Sequence, residues 1–150
     1  MRAVIQRVAH AEITIDGTQR AAIARGLLIL IGIEAADSGE AVDWLAKKIV
    51  NLRVFNDEAG VMNLSVKEAG GELMVVSQFT LFASTKKGNR PSYIRAAKPE
   101  QAIPIYEAFV EALQSEMGRP VGTGVFGADM KVTLLNDGPV TILIDTNQRE

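Results

Sequence analysis

The sequence predicts an α/β domain in which a mostly antiparallel sheet carries two main helices. Three observations predict it. Short apolar runs with strand-like alternation recur along the chain. Two longer segments, near 38–52 and 99–117, repeat apolar residues at helical spacing. The 150 residues, 47% of them hydrophobic, suffice for one domain, 1–150, that buries roughly 70% of its unfolded surface.

AVIQRV followed by AEITID alternates as two strands or one long bent strand, ending at the hairpin signal Asp16-Gly17. LLILIGI (27–33) is apolar on both faces and reads as a strand buried from both sides. Ser38 or Asp37 caps the first helix, whose inner face is Val42, Leu45, Ile49 and Leu52. Asn56-Asp57 with Gly60, and later Gly70-Gly71, mark turns. ELMVVSQFTLF (72–82) reads as one strand, and KKGNRPSY (86–93) as a loop.

Pro99 suits the first turn of the second helix, striped with Ala102, Tyr106, Phe109, Val110, Leu113 and Met117. Pro104 inside that stripe predicts a late start or a kink. Strands near 122–136 and 139–145 complete the fold. Between them, in MKVTLLNDGPVTILID (130–145), stands Gly138-Pro139. Proline brings no N–H to a ladder, so the interruption belongs at an edge or bend.

The two charge signs nearly balance, with a net charge of −2, which is ordinary globular composition. Absence of cysteine excludes disulfides and Cys-ligated zinc. His10 is the lone histidine and offers no metal cluster. Neither a P-loop nor a G-x-S-x-G elbow is present, so no metal and no cofactor is expected. The N-terminus lacks an apolar stretch of signal-peptide length, and LLILIGI is too short to span a bilayer. The expected setting is cytoplasmic, without a membrane partner.

Between Glu72 and Glu100 there is no acidic residue, while Lys86, Lys87, Arg90, Arg95 and Lys98 fall in that interval. Such a run is either a solvated loop or a phosphate-facing patch. Ahead of it lies SQFTL (77–81). In a strand, Gln78 and Thr80 share one face and Ser77 and Phe79 the other. These polar groups either end a strand with satisfied hydrogen bonds or bind a carbonyl or position a water. Thr80 as a nucleophile needs a base, and the neighbouring sequence supplies none.

SQFTL, KGNRPSY and NDGPVT, in this order and spacing, resemble the D-aminoacyl-tRNA deacylases, also called the D-tyrosyl-tRNA deacylase family. AVIQRV and VFNDEAGVMNLSV (54–66) match as well, and only 146–150 looks like a variable tail. Tyr93 departs from the phenylalanine of many relatives; either ring can pack or stack.

The resemblance implies a barrel-like core and a homodimer with its active site at the subunit interface. It implies hydrolysis of the ester joining a D-amino acid to tRNA, and of mischarged glycyl-tRNA. Ser77, Gln78, Phe79 and Thr80 then line the catalytic pocket. Gly138 and Pro139, joined by a cis bond, form the chirality filter, which enters the partner subunit's site. The 2′-hydroxyl of the terminal adenosine assists the water. Lys86, Lys87 and Arg90 follow SQFTL closely enough in sequence to be expected at the acceptor-stem phosphates if that pocket holds the CCA end.

Rigid main chain set against the α-carbon excludes one hand and leaves the other side chain in solvent. Glycine, lacking a side chain, passes such a filter. Two rival readings are a same-fold editing domain for an L-aminoacyl-tRNA and a non-catalytic nucleic-acid-binding dimer.

Overall fold

The computed structural model describes residues 1–150. In chain order the elements are β1 (Arg2–Ile15), β2 (Thr18–Ile23), β3 (Gly26–Gly32), α1 (Gly39–Val50), β4 (Phe55–Asn56) and β5 (Met62–Leu64). There follow β6 (Glu72–Ser77), a 3-10 turn (Phe79–Phe82), α2 (Pro99–Met117), β7 (Gly122–Thr123) and β8 (Lys131–Asp145).

β1 is one long strand. Along one edge it pairs antiparallel with β8; along the other it pairs with β3 through its first half and β2 through its second. β3 then pairs parallel with β6, and β6 with β7. The sheet is therefore mixed, and it curls until β2 meets β7. A Cβ on Gly122 would stand 3.5 Å from Ile23 Cγ2 and 3.7 Å from Ala21 Cβ, although no ladder joins the two strands. The result is a nearly closed barrel.

β3 explains itself. Leu27, Ile29 and Ile31 pack with Ile5, Leu45, Ile49, Phe109 and Leu113 in the core under the helices. Leu28 faces the other way, into a smaller cluster with Val8, Ile13, Ile23, Met74 and Val76. Both faces of the strand are buried, as its unbroken apolar run requires.

α1 buries Val42, Leu45 and Ile49 as the periodicity predicts, while Leu52 lies just past its end. Ser38 is its N-cap by position and makes no side-chain cap bond. Asp37 is used elsewhere. Its carboxylate pairs with the Met1 ammonium, which also donates to Thr146 Oγ1 at 2.6 Å. The Thr146 N–H donates to the Met1 carbonyl at 2.9 Å, so this first residue of the presumed tail is buried and bonded.

Three sequence expectations are corrected. α2 starts at Pro99 despite Pro104, which stands on the exposed face and leaves the stripe Ala102, Tyr106, Phe109, Leu113 and Met117 in phase. The segment 122–136 is not one strand: only Gly122–Thr123 extends beside β6, and β8 begins at Lys131. The third correction concerns 72–82. β6 stops at Ser77, and Phe79–Phe82 coil into the 3-10 turn. No helix is long and apolar enough to cross a membrane.

Candidate active site

β6 delivers Ser77 to the rim of a cleft of about 340 Å3. The last bond of the β3–β6 pairing is donated by Gln78 N–H to the Ile31 carbonyl at 2.7 Å. The chain then turns under Gly32. A Cβ there would stand 3.0 Å from Leu81 Cβ and 3.1 Å from the Gln78 carbonyl oxygen, so the bare Gly32 backbone admits the turn.

Leu81 N–H donates to the Gln78 carbonyl at 3.2 Å and Ala83 N–H to that of Thr80 at 3.1 Å, closing the turn. The N–H groups of Phe79 and Thr80 stand at its head, where no preceding helical carbonyl can accept them. The Gln78 carboxamide donates to Thr80 Oγ1. The two side chains do meet, but through a turn rather than along a strand face. With an amide as its partner, the Thr80 hydroxyl has no adjacent base to activate it.

The same cleft is lined by Ala97 just ahead of α2, Ala102 in its first turn, and the segment Phe126–Met130. Asp129 is the one ionisable side chain in this lining, and residue pattern alone did not single it out. Its carboxylate is bonded to Lys131 Nζ at 2.9 and 3.0 Å and is largely in solvent. A larger cleft, about 660 Å3, opens between α1, the end of β8 and the C-terminal residues. Of the SQFTL residues it contains only Leu81, so the smaller cleft is the chemical candidate.

Phe79, more than half exposed, meets Tyr93 edge-on with centroids 5.1 Å apart. That contact ties the basic loop to the 3-10 turn. The loop is pinched at its base by Ser84 and Ser92, whose N–H groups each donate to the other's carbonyl at 2.8 and 3.0 Å. Lys86, Lys87 and Arg90 all lie exposed in the segment so enclosed, and none forms an ion pair. Arg95 differs: it pairs with Glu34 at 3.2 Å.

Gly138 and Pro139 do not line this cleft. β8 runs through them as a bulge: Asn136 pairs with Val8 and Thr141 with Gln6, so four residues of β8 oppose Arg7 alone. The Gly138–Pro139 bond is cis, and both residues are exposed. Glycine is required at 138 because a Cβ would stand 2.2 Å from the Val140 backbone nitrogen.

Arg7 holds the bulge, a role that no local sequence pattern marks. Its buried guanidinium donates to the carbonyls of Asp137 at 2.9 Å and Val54 at 2.6 Å, and to Asn56 Oδ1 at 3.3 Å. The Asn136 side chain adds bonds to the Arg7 and Val140 carbonyls at 3.0 and 3.1 Å.

The family described as D-Tyr-tRNA(Tyr) deacylase matches residues 4–145. The chain is 65% identical to a D-aminoacyl-tRNA deacylase of Parabacteroides distasonis and 63% identical to one of Bacteroides thetaiotaomicron, covering 100% of each chain. A solved structure named c-Myc DNA Unwinding Element Binding Protein superposes with a TM-score of 0.90 at 42% identity, over 97% of this chain and 98% of that one. A probable eukaryotic D-amino acid tRNA deacylase shares the fold, with a TM-score of 0.82 at 15% identity, over 95% of this chain and 97% of that one. By its full-length match and these identities, the chain belongs to the D-Tyr-tRNA(Tyr) deacylase family, hydrolases of the aminoacyl-tRNA ester bond.

Proposed function

We propose that this chain hydrolyses the ester of D-aminoacyl-tRNA and of glycyl-tRNA as a homodimer, each copy lending Gly138-Pro139 to the other's cleft. The observation that carries the reading is the separation within one chain. Catalytic-turn residues line the cleft, while the Gly138-Pro139 bulge stands exposed outside it. β8 pairs only with β1, so its outer edge is unoccupied in one copy.

In this reading the water oxygen adds to the ester carbonyl, and the N–H groups of Phe79 and Thr80 receive the developing oxyanion. Collapse expels the 3′-oxygen of the terminal adenosine. Gln78 and Thr80 hold that nucleoside, and its own 2′-hydroxyl directs the water. This substrate assistance is supported by the absence of a side-chain base bonded to Thr80. Main-chain atoms of Gly138-Pro139 close the site against an L side chain, whereas glycine passes. Lys86, Lys87 and Arg90 meet the acceptor-stem phosphates.

The test compares D-tyrosyl-, L-tyrosyl- and glycyl-tRNA as substrates of the purified protein. Release of D-tyrosine and glycine with L-tyrosyl-tRNA spared is expected. Preferential cleavage of the L ester would identify an editing domain of the opposite hand, and hydrolysis of none would leave a nucleic-acid-binding module.

A further inference from the structure

The outer wall of the cleft is built by a chain segment that leaves the sheet and returns to it. β7 runs parallel to β6, with Gly122 beside Met74 and Thr123 beside Val75. Gly124 follows, buried. The chain then loops out through a turn closed by Ala128 N–H donating to the Val125 carbonyl at 3.1 Å, with Gly127 at φ 78°. Phe126 is braced edge-on against Tyr106, centroids 6.1 Å apart. On its return the segment places Met130 back over Gly124.

That seat is tight. A Cβ on Gly124 would stand 2.2 Å from Met130 Sδ, 3.5 Å from its Cε and 3.6 Å from Ile13 Cδ1. Gly124 does not occupy the left-handed region, so its backbone would tolerate alanine; the conflict is with Met130 alone. Met130 lines the cleft with Ser77, Gln78 and Phe79. An unbranched thioether conforms to whatever supports it, so the seat, more than its own rotamers, decides where it stands.

We propose that Gly124 is a positioning residue: by seating Met130 it sets the width of the cleft that Met130 lines together with Ser77, Gln78 and Phe79. The inference rests on reading that cleft as the aminoacyl site. Ordinary carbon contacts lie at about 3.5–4.0 Å, so a methyl at 124 shifts the Met130 sulfur by more than about 1 Å. A displacement of that size in a catalytic site costs up to about a hundredfold in rate. Folding suffers little, because the obstacle is the far end of a flexible side chain.

Turnover of D-tyrosyl-tRNA and thermal melting are measured for wild type, G124A, M130A and the double variant. The expected result is a loss on the order of tenfold or more in kcat/KM for G124A with a nearly unchanged Tm. Adding M130A relieves that loss, a non-additivity that a merely structural glycine would not give. An active wild type with G124A equally active, or with a G124A loss that M130A does not relieve, overturns the inference alone. An inactive wild type sinks the reading of the cleft, and the inference with it. Should G124A not fold, M130A by itself decides: a several-fold change in kcat/KM supports the seat, and unchanged kinetics overturns it.

Discussion

Arg7 is the residue on which the bulge depends. A guanidinium offers several donors in a fixed plane, and here they join two chain segments: the bulge at Asp137 and the Val54–Asn56 stretch. Truncating it leaves buried carbonyls without donors. Arg7→Ala is expected to cost about 2–3 kcal/mol in urea unfolding. Arg7→Lys, a point charge without the fork, should recover stability only in part. If the bulge positions the filter, Arg7→Lys also raises hydrolysis of L-tyrosyl-tRNA relative to the D ester. An unchanged D-to-L ratio would separate Arg7 from chirality reading.

At the scale of elements, α2 is fastened to β6 by a buried tyrosine. Tyr106 donates its hydroxyl to the Val75 carbonyl at 3.2 Å, and burial pushes its pKa from 10.0 up to about 12. Between these values the unfolded chain gives up the phenolic proton while the folded chain keeps it. Stability is thus fully present below the unfolded pKa and declines as pH rises from about 10 toward 12. Melting temperature should fall over that window, and Tyr106→Phe, which has no proton to lose, should show a shallower alkaline decline. An equal decline would remove Tyr106 as its source.

The basic loop beside the Phe79–Phe82 turn yields a second prediction at this scale. Replacing Lys86, Lys87 and Arg90 together by alanine should weaken aminoacyl-tRNA binding. It should also make the slope of log K against log salt shallower by roughly 2–3. Unaltered affinity and slope would mark the patch as a solvated loop.

For the whole molecule, the trans-subunit reading makes a demand no single chain can meet. A variant with a disrupted catalytic turn (Gln78→Ala with Thr80→Ala) and a variant with a disrupted bulge (Gly138→Ala with Pro139→Ala) should each be inactive on D-tyrosyl-tRNA. Unfolded and refolded together, they form mixed dimers in which one of the two sites has both parts intact. Activity should then reappear. Its absence, with mixed dimers verified by mass, would place the bulge in the service of its own chain.

How much was legible beforehand follows from the range of the interactions. Helical stripes and the doubly apolar β3 were readable because 3.6- and two-residue periods are local consequences of burial. The SQFTL and NDGPVT motifs were readable as a resemblance. The end of β6 at Ser77 was not, because the turn exists only where the bare Gly32 backbone lies beneath it, and Gly32 is remote in sequence. The same holds for Arg7 under the bulge and for Met130 on Gly124: each is a pairing between segments that share no local pattern. Pro104 taught the converse, since a proline on the exposed face leaves the buried stripe intact. The sequence by itself determined which segments bury which faces, because that depends on near neighbours. Tertiary structure alone decided how the cleft is walled and how the bulge is braced, because close backbone approach and buried hydrogen bonds join residues far apart in the chain.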